Sequence, residues 1–183
     1  MKLLTLLTPA ALLALAFAGT QYKVAEDSTM TISGGSTIHD WHCDAKVVGE
    51  MDRAESGESA VPTAVKIRVA VDEIECGKGV MNKKLRDALK SDKNPEVLFT
   101  LDTASLEGTG KLATTGNLTI AGKTKPVEFV VTEKATDSGL TYEGSVDLLM
   151  TDFDVKPPTA MMGTMKTKDE VTVSFSVNMV TAK

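Results

Sequence analysis

His39-Asp40-Trp41-His42-Cys43-Asp44 holds both histidines of the chain, one of its two cysteines and two carboxylates. It is the densest set of side chains able to ligate a metal or move a proton. A zinc-type centre needs three or four of these groups to converge, and a nucleophilic centre needs a hydrogen-bonded base, a nucleophile and an orienting acid. In an extended strand, side chains alternate, so His39, Trp41 and Cys43 face one way while Asp40, His42 and Asp44 face the other. No second segment carries a histidine to complete either arrangement. Serines are plentiful, but none lies in a strand-to-helix elbow. The expectation is no catalytic group, no metal and no cofactor, with His39 and Asp40 in structural hydrogen bonds at a strand start. Gly77-Lys78-Gly79 is too short for a phosphate loop and reads as a tight turn. The nine methionines are dispersed, as packing residues are. Asn117-Leu118-Thr119 matches a glycan acceptor but falls inside a strand.

Cys43 and Cys76 are the only cysteines. An even pair in an exported chain points to a disulfide, with two buried free thiols as the alternative; without a C-x-x-C spacing, redox chemistry is the weakest reading. Export is expected from residues 1–18: Lys2, an apolar run from Leu3 to Phe17, and Ala16-Phe17-Ala18 as a small-x-small cleavage site. Pro9 interrupts a run already short for a spanning helix, and no transmembrane segment is expected later. A periplasmic or secreted single domain over 19–183 follows. Net charge is −5, and basic residues cluster only at Lys83-Lys84 and, loosely, around Lys166. Nucleic acid is thereby disfavoured as a partner.

Strand periodicity dominates the rest. Val171-Thr172-Val173-Ser174-Phe175-Ser176-Val177-Asn178-Met179 alternates apolar and polar throughout, and predicts buried Val173 and Phe175 against exposed Thr172 and Ser174. Val65 to Val71, Val97 to Leu101, Tyr142 to Met150 and Trp41 to Val47 repeat the pattern. Gly116 to Val131 reads as a hairpin, two alternating runs about a short Gly-containing turn. With Thr29 to Ser33, about eight one-sided strands result. One segment reads as a helix: Met81, Leu85 and Leu89 recur every four residues after Asn82 as N-cap, over about Lys83 to Lys90. Asn94-Pro95 ends it. A long connection from Asp152 to Met165, rich in proline and methionine, precedes the last strand.

Eight one-sided antiparallel strands can close into a barrel and so remove exposed edges. Such a barrel is either filled or wide enough for one small ligand. The inward sets are mostly Val, Leu, Ile and Met, so a cavity would suit a hydrocarbon chain better than a sugar or a base.

The hairpin Gly116-Asn117-Leu118-Thr119-Ile120-Ala121-Gly122-Lys123-Thr124-Lys125-Pro126-Val127 resembles the G-x-L-T-I-x-G-x-T-K-P-V signature of the YceI-like family. Ser36 to Trp41 resembles that family's early histidine-bearing strand, Met81 to Leu89 its short helix, and Asn94 to Phe99 its strand entry, with Asn94 in place of an aromatic. The family's R-x-D-F/W-G stands here as Met150-Thr151-Asp152-Phe153-Asp154, without the arginine and without the glycine, as in a divergent branch. The resemblance implies a lipocalin-like antiparallel β-barrel with one short helical insertion, binding an isoprenoid or similar long-chain lipid without catalysis. The expected pocket residues are Val69, Leu85, Leu89, Phe99, Leu101, Phe129, Leu148, Phe153 and Phe175, with Met161 and Met162 as a lid. The rival reading is a filled barrel serving as a structural or stress-related interaction module. Monomer and homodimer stay equally open.

Overall fold

The computed structural model describes residues 19–54 and 60–182, so the expected leader over 1–18 lies outside the described residues. The alternating segments form strands β1 (Thr20–Val24), β2 (Thr29–Ser36), β3 (Trp41–Asp44), β4 (Val47–Arg53), β5 (Pro62–Ala70), β6 (Glu96–Gly108), β7 (Lys111–Ile120), β8 (Lys123–Thr136), β9 (Gly139–Leu149), β10 (Thr159–Ala160) and β11 (Met165–Thr181). One α-helix, α1 (Gly79–Leu89), interrupts them between β5 and β6.

All strand pairs are antiparallel, and the order β1-β4-β5-β6-β7-β8-β9-β11 closes on itself through Tyr22 opposite Thr181 and Val24 opposite Met179. The strands β2 and β3 extend this ring: β2 pairs with the first half of β11, and β3 pairs with β2. Thus β1 with β2, and β3 with β4, act as two broken staves, and the barrel has eight. The sequence pattern anticipates the eight staves but not the breaks, at residues 25–28 and 45–46. At the first break the Ala25 N–H still donates to Asn178 O, and at the second the Ala45 N–H donates to Met30 O. Backbone bonding therefore persists where strand geometry lapses.

The β7–β8 hairpin turns on Ala121 and Gly122, both left-handed with φ of 50° and 82°. Two positive φ values are those of a type I′ turn, whose twist matches the flanking strands. Ile120 and Lys123 are accordingly direct partners.

The helix begins earlier than its sequence pattern suggests. It starts at Gly79 with Lys78 as N-cap, and Asn82 lies buried within it. The Asn82 side chain accepts from the Cys76 N–H at 2.8 Å and donates to Glu75, so it fastens the helix to the preceding loop rather than capping it. At the other end Lys90 adopts αL geometry and its N–H bonds the last turn's carbonyls.

Buried side chains gather in two places. Met51, Leu112, Val131, Tyr142, Val177 and Met179, with Val47, pack one end of the barrel. Cys43, Ala45, Val69 and Ile74 pack beneath α1 at the other. Cys43 and Cys76 are joined by a disulfide, and Asp44 and Glu75 beside them exchange a backbone bridge. These links hold the loop before α1 against β3. Between the two packed regions, Val173 and Phe175 face inward but are only half-buried. They border a cavity instead of a filled core, which is why the expected full burial does not occur.

Candidate functional site

The barrel interior owes its shape to a few positions where large and small residues oppose each other. Phe99 on β6, Phe129 on β8 and Phe175 on β11 form an aromatic row: the Phe99 and Phe129 centroids are 5.5 Å apart, and those of Phe129 and Phe175 are 5.9 Å apart at 80°. The two strands between them carry glycine at this level. A Cβ on Gly116 would lie 2.4 Å from the Phe99 ring, and one on Gly144 would lie 3.0 Å from that of Phe175. The rings can therefore lie against the wall without closing the lumen. Trp41 does the same on β3, where its ring covers Gly34 and its Nε1–H donates to Gly35 O at 3.2 Å.

The result is a cavity of about 550 Å³ that runs from the packed end to the underside of α1. Val69, Leu85, Leu89, Phe99, Leu101, Phe129, Leu148, Phe153 and Phe175 all line it. Val69 and Phe153 are buried in its wall, and the other seven are half-buried and face the lumen. Met81, Leu85 and Leu89, one apolar stripe of α1, form its roof. Polar lining is concentrated at the mouth, where Ser36, His39, Lys78, Lys84, Thr159 and Thr167 border it. Thr114 is a buried polar residue deeper inside.

The mouth is framed by the β2–β3 turn, the start of α1 and the loop before β11. Thr37 Oγ1 donates to Thr164 O, the Thr37 N–H donates to Lys166 O, and Lys84 Nζ donates to Thr159 O at 2.7 Å. Pro158, Thr159 and Met165 supply the loop's share of the lining. Met162, expected as part of a lid, is fully exposed at φ 56° and is not among the lining residues. The Met161 side chain lies outside the described residues. A loop that bends left-handed at Met162 turns that side chain to solvent and leaves Pro158 and Thr159 at the rim.

His39 and Asp40 are exposed on the β2–β3 turn. The Ser36 hydroxyl donates to His39 O and accepts from the His39 N–H, and His39 Nδ1 lies 3.0 Å from Asp40 O. These are local turn bonds. His42 points outward from β3, as alternation requires, so the two histidines do not meet. Among the described residues, no three of His, Cys, Asp and Glu are placed to share a metal ion.

A polar cluster at the packed end escapes a strand-by-strand reading. Arg53 Nη1 and Nη2 donate to the two carboxylate oxygens of Glu133, the second at 2.9 Å. Arg53 also donates to Tyr142 Oη at 2.7 Å and to Ala60 O at 2.6 Å, while the Tyr142 hydroxyl donates to Glu133 at 2.8 Å. The hydrogen bond to Glu133 raises the Arg53 pKa further, although burial opposes it. Burial first, and the Glu133 carboxylate second, raise that of Tyr142 well above the ordinary phenol value. The three residues come from β4, β8 and β9. The one signal in the sequence was a tyrosine at an inward position, since a buried hydroxyl needs a partner.

A model of the YceI-like domain matches residues 19–179. The chain belongs to the YceI-like family. UPF0312 proteins of Shewanella baltica are 30% identical over 113 residues, 55% of this chain and 58% of theirs, so the match spans little more than half of those relatives. Among solved structures, Burkholderia cenocepacia BcnA superposes with a TM-score of 0.69 at 18% identity, over 85% of this chain and 96% of that one. A polyisoprenoid binding domain from Saccharophagus degradans gives 0.62 at 10% identity, over 90% and 100%. The Campylobacter jejuni YCEI protein gives 0.60 at 16%, over 100% and 99%. These likenesses establish the YceI-like barrel fold. The chain's own backbone accounts for one departure from the family motif: Asp154, where the motif has glycine, is left-handed at φ 56°. Its carboxylate pairs with Lys123 at 2.7 Å, which holds its pKa below the usual range and ties this loop to the β7–β8 turn.

Proposed function

We propose that this YceI-like protein is an exported, non-catalytic carrier that holds an isoprenoid or similar long-chain lipid in its barrel. The cavity carries the reading: about 550 Å³ of lumen, apolar along its length and polar at its mouth. Its volume falls among those of small-molecule sites, about 300 to 1,000 Å³. With so few polar partners inside, affinity comes from removing hydrocarbon from water. Ten buried methylenes correspond to about 8 kcal/mol before the cost of immobilising the chain. The solved Saccharophagus domain, described as polyisoprenoid binding, supports the choice of ligand. The disulfide supports an oxidising compartment, periplasmic or secreted.

The test is native mass spectrometry of the purified protein with lipid extraction, joined to displacement of a fluorescent polyprenyl probe. Phe129→Asp and Leu148→Asp should abolish uptake, because a carboxylate against a hydrocarbon chain has no partner to offset its desolvation. Glu128, exposed on β8, should tolerate Ala. Folded protein that carries no lipid and takes up no long-chain probe would leave the interaction-module reading in its place.

A further inference from the structure

The three most exposed large apolar side chains among the described residues are Ile38 at 60%, Val80 at 72% and Met162 at 107%. They sit on three different elements, the β2–β3 turn, the start of α1 and the loop before β11, and these are the elements that frame the cavity mouth. Of the remaining exposed apolar residues, at 41% to 47%, Leu106 and Val130 lie on barrel strands outside the cavity lining, whereas Leu149 borders the cavity.

Charge is asymmetric in the same place. The mouth segments 36–40, 78–84 and 156–168 contain six lysines and one carboxylate, Asp40, in a chain whose net charge is −5. Of these lysines Lys83 pairs with Asp87, on the next turn of α1. Lys84 donates a hydrogen bond to the neutral backbone carbonyl of Thr159, which does not compensate its charge. Apolar tips set in a basic rim match the two layers of an anionic bilayer surface, with hydrocarbon beneath negatively charged headgroups.

From this coincidence we infer that the cavity mouth docks on anionic lipid membranes, with Ile38, Val80 and Met162 entering the interface and the rim lysines resting on headgroups. The inference rests on the carrier reading for its purpose, since a ligand insoluble in water is best passed where the mouth meets the bilayer. Vesicle association itself requires no ligand in the barrel.

The experiment is sedimentation of the intact protein with phosphatidylcholine vesicles, with and without phosphatidylglycerol, at low and high salt. Binding should appear with the anionic vesicles and weaken with salt. Ile38→Ser with Met162→Ser, and separately Lys166→Gln with Lys168→Gln, should each weaken it about tenfold or more. Both pairs lie outside the cavity lining and should take up detergent-solubilised probe normally. Leu106→Ser with Val130→Ser should bind vesicles as the parent does. Failure of the carrier reading would show as lost probe uptake in every protein, whatever the vesicles report. Absence of binding to anionic vesicles would overturn the proposal, as would binding indifferent to the rim substitutions. So would a dimer abolished by Ile38→Ser with Met162→Ser in protein that ignores vesicles, which would give this face to a second copy of the chain.

Discussion

Phe175 on β11 stands directly opposite Gly144 on β9, and a Cβ at Gly144 would come within 3.0 Å of its ring. The pair shows how the wall is thinned to keep a lumen: the ring occupies space that its neighbour leaves.

The same relationship is tighter at Gly116, where an added Cβ would also meet the Thr100 carbonyl oxygen at 2.5 Å. Backbone cannot step aside as a flexible side chain can. Gly116→Ala should therefore cost about 1 to 3 kcal/mol by urea unfolding. Phe175→Ala removes a half-buried ring from a cavity wall, and should cost less than the about 3 to 5 kcal/mol of a fully packed phenylalanine.

Glu133→Gln should destabilise the barrel by about 2 to 4 kcal/mol, since it leaves the Arg53 guanidinium mostly shielded from water without its counter-charge. Changing Arg53 and Glu133 together to apolar residues should cost less than the sum of the single changes, which a double-mutant cycle would read.

Alkaline unfolding should report on Tyr142. Its pKa is raised in the folded protein, so above about pH 10 the unfolded chain releases the phenolic proton while the native state retains it. The native state then binds more protons, and stability falls as pH rises. Tyr142→Phe should flatten that decline in pH-dependent thermal melts, at a cost near neutrality of about 1 kcal/mol for the lost hydroxyl bonds.

Reduction of Cys43–Cys76 releases a closure over 33 residues of separation. The loop-entropy model assigns it about 3 to 4 kcal/mol, or a fall of roughly 10 °C in melting temperature for a domain of this size. Because the bond sits beneath α1, hydrogen exchange after reduction should rise first in the helix and in Ile74 to Lys78, before the β7–β8 hairpin. Alkylation of both thiols without reductant in protein from an oxidising compartment would contradict the bond.

Ala121 holds a left-handed turn position at φ 50° without the tolerance of glycine or asparagine. Ala121→Asn should stabilise the hairpin by about 0.5 to 1 kcal/mol, visible in the denaturation midpoint.

The staves and their facing were legible in the sequence because a period of two leaves no ambiguity once one face is apolar. Phe99 and Leu101 on β6 face inward by the same alternation, as Phe175 does on β11. Other features arise only between strands distant in the chain. Arg53, Glu133 and Tyr142 read singly as ordinary positions, and the closure of the barrel makes them neighbours. Asn82 has the chemistry of a cap, so the sequence pattern sets the α1 start too late, and only the position of Cys76 shows that its amide serves a different backbone. Composition points to Met162 as a lid, whereas the local φ decides where its side chain points. The rim lysines look scattered along the sequence and come from two separate segments, the start of α1 and the stretch leading into β11.

The close-packed side chains at one end of the barrel, and those under the helix, leave the middle of the lumen outside the parts most responsible for folding. Selection can consequently alter what fits there at little risk to the chain's ability to fold. A barrel organised in this way tolerates drift in its contents while its outline endures, and proteins with as little as 10% identity still superpose on it. Sequence differences among such barrels should therefore concentrate at lumen-facing positions rather than at the packed ends.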